Sequence, residues 1–167
     1  HGLRLFGLDL SQAMLARGFS RLNPAAHRRL LAVQGEAAAL PFPDNSLDCV
    51  ISQFVWRNLS SRSQALAEIR RVLKPGGKLL ILEFGCGQKR IWGGLYNFYL
   101  RRMLPRLAAL LSPRKNAYDY LVQSILAFPP PEAIVEELCA AGFTDISHHP
   151  LTSGIVSLYT ASVAKEY

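Results

Sequence analysis

Residues 70–84 read RRVLKPGGKLLILEF, and this stretch indicates the fold more clearly than any other. It completes a helical pattern that begins near Ser60, with apolar residues on one stripe and basic residues largely off it. The stripe comprises Ala65, Leu66, Ile69, Val72 and Leu73. Pro75-Gly76-Gly77 ends the helix, because proline cannot continue it and glycine adopts the positive dihedral angles of a tight reversal. We predict that Lys78 to Phe84 leaves this turn as a buried strand.

The flanking sequence extends the alternation of strands and helices in both directions. Upstream, we predict strands at residues 3–10, 30–34 and 49–54, a helix at 12–18 capped by Ser11, and a loop at 19–29. Downstream, we predict helices at 117–127 and 132–141, then strands at 144–148 and 154–161 that pair antiparallel. Strands that alternate with helices favour a parallel sheet. The expectation is therefore an α/β, Rossmann-like fold, mostly parallel with a C-terminal antiparallel hairpin, in one domain spanning residues 1–167.

Composition narrows the function classes only a little. The net charge of +7 suits nucleic acid, an anionic membrane surface or an anionic cofactor, but no nucleic-acid-binding motif accompanies it, so we expect no nucleic acid partner. Cys49, Cys86 and Cys139 are far apart and odd in number, and we predict core or free thiols in a reducing compartment and no metal. The opening residues lack the features of a secretory signal.

Polar residues follow two of the predicted strands. Asp9 ends the first, where a carboxylate can accept both hydrogens of a ribose diol, as in sites for NAD and for S-adenosylmethionine. An acid that caps the helix after Ser11 explains the same position equally well. Arg57-Asn58 follows the strand at 49–54, at the edge where open sheets bind ligands. A surface salt bridge is the alternative for Arg57, and we favour a functional role.

Three segments, GLDLSQAML (7–15), GEAAALPFPDNSLDCVIS (35–52) and RRVLKPGGKLLILEF (70–84), together resemble class I S-adenosylmethionine-dependent methyltransferases in order and spacing. Arg57-Asn58 and three later segments indicate one family within this class. These segments are AYDYLVQSI (117–125), EELCAAGF (136–143) and LTSGIV (151–156). These are similar to the family that C-methylates the quinol ring in ubiquinone and menaquinone biosynthesis. The similarity covers nearly the whole chain.

This resemblance implies an enzyme, with roles for particular residues. S-adenosylmethionine would be bound by Asp9, Leu10, Met14, Glu36, Ala37 and Gln53. Among these, Asp9 would hold the ribose hydroxyls, Glu36 and Ala37 would flank the adenine, and Gln53 would face the methionine end. For catalysis, Arg57 would steady a phenolate, and Asn58 would orient a hydroxyl or a water. The quinol pocket would be lined by Tyr118, Tyr120 and Ser124.

The glycine-rich loop of this fold is not found in the sequence. Class I methyltransferases begin with a strand and a glycine-rich turn whose N–H groups face the cofactor. The glycines at 85, 87, 93 and 94 follow a later strand with different spacing. We therefore expect an N-terminally truncated sheet that lacks its first strand, with an unpaired edge. Such a chain alone should be inactive and bind the cofactor weakly or not at all.

A helical substrate or lid insertion is predicted at about 88–128. Its stretch at 91–111 is too rich in arginine to span a membrane comfortably, and we expect it to lie on a membrane surface that admits a polyprenyl tail, or to form a lid or dimer face. The expected partners are a polyprenyl quinol and a homodimer or quinone-synthesis complex. The expected location is the cytoplasm or mitochondrial matrix, peripheral to the inner membrane. The alternative function is a non-catalytic methyltransferase-like domain that binds partners.

Overall fold

The computed structural model describes residues 3–85 and 115–165. Its first half contains β1 (Leu5–Asp9), α1 (Gln12–Phe19), α2 (Pro24–His27), β2 (Leu30–Gln34), β3 (Leu47–Gln53), a 3-10 turn (Trp56–Asn58), α3 (Arg62–Val72) and β4 (Leu73–Phe84). Its second half contains α4 (Lys115–Leu126), α5 (Pro131–Ala140), β5 (Thr144–Leu151), a 3-10 turn (Thr152–Gly154) and β6 (Val156–Ser162).

These strands form two sheets. β1 pairs in parallel with β2, and the second sheet has the order β3-β4-β6-β5. In that sheet β3 and β4 are parallel, whereas β6 runs antiparallel to both β4 and β5. The predicted α/β fold with a C-terminal antiparallel hairpin is therefore confirmed.

The gap between the two sheets agrees with the predicted loss of a strand. Among the described residues, no strand pairs with the second edge of β1 or with the second edge of β3. Ile51, in the middle of β3, is 69% exposed, although a central strand normally buries such a side chain. Within residues 3–85 and 115–165 the sheet is thus interrupted beside β3.

The core lies on one face of the four-stranded sheet, under α3 and α5. Ser61 caps α3 by accepting a hydrogen bond from the Gln64 N–H, and the predicted apolar stripe of this helix is buried. α5 contributes Ile134 and Leu138 to the same core. The core is completed from the strands and from the turn after β3 by Leu79, Ile81, Tyr159 and Trp56.

Several predicted boundaries are wrong, each for a local reason. β4 begins at Leu73, which pairs with Leu47, so the strand already includes Pro75-Gly76-Gly77. Gly76 has a φ of 76°, and its N–H donates to the carbonyl of Val163, which ties the bend into the sheet. The predicted loop at 19–29 contains α2, which Asn23 caps ahead of a first-turn proline.

Further corrections concern β3 and the C-terminal hairpin. β3 starts at Leu47, β5 continues to Leu151, and Gly154 lies in the 3-10 turn rather than in the last strand. Of the cysteines predicted to be core or free thiols, Cys49 and Cys139 are free and exposed, and Cys86 lies outside the described residues. Most of the predicted insertion at 88–128 also lies outside them, so that insertion stays a prediction, as does the single-domain assignment. No helix in the described part is long and apolar enough to cross a membrane.

Candidate active site

Three of the predicted cofactor-binding residues lie at the end of a strand or just after one. Asp9 is the last residue of β1, Gln53 is the last residue of β3, and Glu36 lies two positions after the end of β2. The Ser60 hydroxyl, which follows the turn after β3, lies 3.3 Å from Glu36 Oε1. This hydrogen bond places the connections that follow β2 and β3 beside each other, although the strands belong to different sheets.

Asp9 is half-buried, and one of its carboxylate oxygens has a partner. Oδ1 accepts a hydrogen bond of 2.8 Å from the Ser11 N–H, and Ser11 in turn caps α1 by accepting from the Met14 N–H. Asp9 therefore contributes to the start of α1, which is the alternative interpretation of this acid given by the sequence. This hydrogen bond leaves Oδ2 without a partner among the described residues, so the carboxylate retains an acceptor for a ligand.

The other predicted cofactor contacts follow β1 or β2 or lie at the end of β3. Leu10 and Met14 are 67% and 58% exposed, which is high for apolar side chains. The Gln34 side-chain amide donates to the carbonyl of Leu10 at 3.2 Å and holds the end of β2 against the start of α1. Glu36 is exposed and Ala37 half-buried, whereas Gln53 is exposed at the end of β3.

The turn after β3 is held in a sparsely populated backbone conformation. Phe54 has a φ of 56°, which costs a non-glycine residue about 1–3 kcal/mol. Its N–H donates to the carbonyl of Leu82 at 2.8 Å, and its ring stacks on that of Phe84 at 4.4 Å. Trp56, 1% exposed, anchors the other end of the bend. The next two residues, Arg57 and Asn58, therefore start from a fixed backbone.

Arg57 is almost buried, and most of its donors are used. Its side chain is 9% exposed, and Nη1 donates to Glu83 Oε1 at 2.6 Å and to the carbonyl of Phe54 at 2.8 Å. Nε donates to the Ser124 hydroxyl at 3.2 Å, and the guanidinium lies 5.5 Å from the centre of the Phe84 ring. The two N–H groups of Nη2 have no partner among the described residues.

Glu83 is the residue of this site that sequence reasoning missed. Its side chain is fully buried, and besides Arg57 Nη1 its carboxylate accepts hydrogen bonds from the backbone N–H groups of Arg57 and Phe84. The available signal was an acid near the end of an otherwise apolar strand, KLLILEF. Charged residues are almost never fully buried unless they are paired, so that position already required a partner.

α4 contributes two side chains from one face. The Tyr120 hydroxyl, on a side chain that is 57% exposed, donates to Asn58 Oδ1 at 2.9 Å. Ser124, one turn later, accepts from Arg57 and donates to the carbonyl of Leu121 at 2.9 Å. Tyr120 and Ser124 thus share one face of α4, and this face meets the Arg57-Asn58 turn. Tyr118 belongs to the same helix, but its side chain lies outside the described part of the structure.

The two adjacent histidines of β5 differ in burial. His148 is half-buried, whereas His149 is exposed. The His148 ring stacks on Tyr159 at 4.9 Å, and Nε2 is 3.0 Å from the Ser157 hydroxyl. Burial lowers the pKa of His148 below its ordinary value and raises that of Tyr159. The groups that could coordinate a metal do not cluster in threes within the described ranges.

Sequence comparisons with known proteins indicate the family of the chain. The model of the ubiE/COQ5 methyltransferase family matches residues 2–163. A ubiquinone/menaquinone biosynthesis C-methyltransferase UbiE from Geobacter sulfurreducens is 39% identical over 158 residues, covering 93% of this chain and 61% of that protein. A demethylmenaquinone methyltransferase from Thermus thermophilus is also 39% identical, covering 95% of this chain and 71% of that protein. The chain therefore spans about three fifths to seven tenths of the length of these relatives.

Solved structures support the fold independently. A phosphoethanolamine N-methyltransferase from Haemonchus contortus superposes with a TM-score of 0.70 at 20% identity, covering 98% of this chain and 44% of that one. A SAM-dependent methyltransferase from Aquifex aeolicus gives 0.63 at 17% identity, covering 96% and 69%. The family match along nearly the whole chain, with the relatives at 39% identity, shows that the chain belongs to the ubiE/COQ5 methyltransferase family.

Proposed function

We propose that the protein to which this chain belongs transfers a methyl group from S-adenosylmethionine to a ring carbon of a polyprenyl quinol, in ubiquinone or menaquinone biosynthesis. The observation that carries the proposal is the Arg57-Asn58 turn, held at the end of β3 by Glu83 and α4. Family membership supplies the reaction class, and relatives named for both kinds of quinone leave the ring system open.

The residues after β1 and β2 fit S-adenosylmethionine. Oδ2 of Asp9, which has no partner among the described residues, is available to a ribose hydroxyl, and the exposed side chains of Leu10 and Met14 offer an apolar surface for an adenine. Glu36 and Ala37 would flank that ring, and Gln53 would face the methionine end. When bound, the cofactor supplies an electrophilic methyl group on a sulfonium.

The reaction needs an electron-rich ring. A quinol becomes electron-rich when one hydroxyl is deprotonated, because the oxyanion increases electron density at the ortho carbon. We assign stabilisation of that oxyanion to Arg57, whose two Nη2 N–H groups have no partner among the described residues. A donor fixed before the reaction needs no reorganisation when charge develops.

After transfer, the ring must lose a proton. We assign orientation of the quinol hydroxyl, or of the water that accepts the proton, to Asn58. Its Oδ1 accepts from Tyr120, which leaves its NH₂ group to donate to the substrate side. Tyr118, Tyr120 and Ser124 would line the quinol pocket from α4.

Methyl transfer tests the proposal directly. The full-length protein, meaning the chain with any sequence that adjoins it in its natural protein, is incubated with methyl-labelled S-adenosylmethionine and either a demethylmenaquinol or a benzoquinol analogue. We expect label in the quinol and a turnover loss of about 100-fold or more in Arg57→Ala, with cofactor affinity within about twofold. Equal losses of turnover and cofactor affinity would contradict the role of Arg57. Cofactor binding without methyl transfer would favour a non-catalytic partner-binding domain.

We also propose contact with a membrane surface, because a polyprenyl tail is poorly soluble in water. The location would be peripheral to the inner membrane, on its cytoplasmic or matrix side. Co-sedimentation with anionic vesicles, weakened by salt, tests that contact. Light scattering tests for a homodimer, and co-purification with other quinone-synthesis enzymes tests for a complex.

A further inference from the structure

A fully buried carboxylate lies directly behind the proposed catalytic turn. Glu83 has no exposed side-chain surface, and its strand neighbour on β6, Ser157, is also buried. A carboxylate in such a place is costly unless it is paired and hydrogen-bonded. Here it is both, because Oε1 accepts from Arg57 Nη1 at 2.6 Å and from the Phe84 N–H at 2.8 Å.

Glu83 contacts Arg57 at two points. Oε1 binds the guanidinium, whereas Oε2 accepts from the backbone N–H of Arg57 at 3.2 Å. One carboxylate therefore fixes both ends of the same residue. Ser124 adds a third point from α4 through Nε.

We propose that Glu83 is a positioning residue for the methyl transfer, which acts by holding the guanidinium of Arg57 so that Nη2 faces the substrate. This extends the proposed function and rests on it for its effect on turnover. Ser124 assists from α4. Glu83 itself has no exposed surface through which it would touch a quinol.

The number of N–H donors on Arg57 supports the positioning role of Glu83. A guanidinium has five N–H groups in a fixed plane. The Phe54 carbonyl and Glu83 take the two on Nη1, and Ser124 takes the one on Nε. Because the plane is rigid, fixing these three also fixes the direction of the remaining two. The negative charge of Glu83 also balances the positive charge of Arg57, so Arg57 acts as an oriented hydrogen-bond donor rather than as a free cation.

The test compares Glu83→Gln, Arg57→Lys and the double variant in the full-length protein. The matched control is Glu137→Gln, which breaks the half-exposed pair of Glu137 with Arg62 elsewhere in the domain. For Glu83→Gln we expect turnover to fall about 10- to 100-fold, because small displacements of a positioned group cost that much, with affinity for S-adenosylmethionine within about twofold of the parent. The double variant should be no slower than Arg57→Lys, because Glu83 acts through Arg57.

A second measurement reports on Arg57 without requiring turnover. The ¹⁵N–¹H signal of Arg57 Nε, assigned by its loss in Arg57→Lys, should exchange slowly with water in the parent and in Glu137→Gln, and much faster in Glu83→Gln. Unchanged turnover or unchanged exchange in Glu83→Gln would overturn the positioning role. If the parent transfers no methyl group, the proposed function fails, and the exchange measurement still decides whether Glu83 holds Arg57.

Discussion

Replacing each member of the Arg57–Glu83 pair by an apolar residue should destabilise the protein unequally. Arg57→Met leaves Glu83 with no exposed surface and, within the described ranges, only backbone N–H groups as partners. Removing one partner of a buried ion pair costs about 3–5 kcal/mol. Glu83→Leu should cost less, because Arg57 keeps the Phe54 carbonyl and Ser124 and is 9% exposed.

The double variant Arg57→Met/Glu83→Leu should recover most of the loss. Replacing both members of a buried pair with apolar residues of similar volume is often neutral or stabilising. The summed losses of unfolding free energy in the two single variants should therefore exceed the loss in the double variant by at least about 3 kcal/mol. For a domain of this size, the Arg57→Met loss corresponds to a melting temperature lowered by about 6–20 °C.

Urea unfolding of the full-length protein, followed by circular dichroism, measures all four free energies of unfolding. The control is the same cycle at Arg62 and Glu137, whose side chains are 29% and 31% exposed. That pair should show a coupling of about 1 kcal/mol or less. If the coupling at Arg57 and Glu83 is no larger than at this control pair, the buried ion pair does not hold the turn as argued.

Two further predictions concern single side chains. Tyr120→Phe should slow methyl transfer by about 2- to 13-fold, because one net hydrogen bond to Asn58 contributes about 0.5–1.5 kcal/mol. Because the side chain is exposed, the stability of the protein should be nearly unchanged. An unaltered kcat would show that Tyr120 is not part of the site. Burial lowers the pKa of His148, so the folded state favours the neutral ring. The contribution of the neutral ring to stability is therefore fully present above about pH 6.5 and is lost as the pH falls toward the lowered pKa. Between pH 7.5 and pH 5.5, the free energy of unfolding measured with urea should therefore fall less in His148→Gln than in the parent or in His149→Gln. An equal fall in all three proteins would contradict the burial argument.

Local pattern was sufficient for much of the fold. The predicted strand at 30–34 matches β2, and the apolar stripe of α3 is buried as expected, because both depend on the period with which side chains repeat along one element. The common face of Tyr120 and Ser124 follows from the same helical spacing. The missing glycine-rich loop also predicted an unpaired sheet edge, and within residues 3–85 and 115–165 no strand covers the second edge of β1 or of β3.

Only the tertiary structure showed how the site is held. Glu83 and Arg57 are 26 positions apart on different elements, so no local periodicity relates them. The two meet because β3 and β4 are parallel neighbours, whose carboxyl ends lie side by side. His148 is partly buried because β6 places Ser157 and Tyr159 beside it, and this also depends on strand pairing. The sequence by itself determined the family and most of the elements, whereas pairing between distant elements decided which charged groups are buried and which donors remain for a ligand.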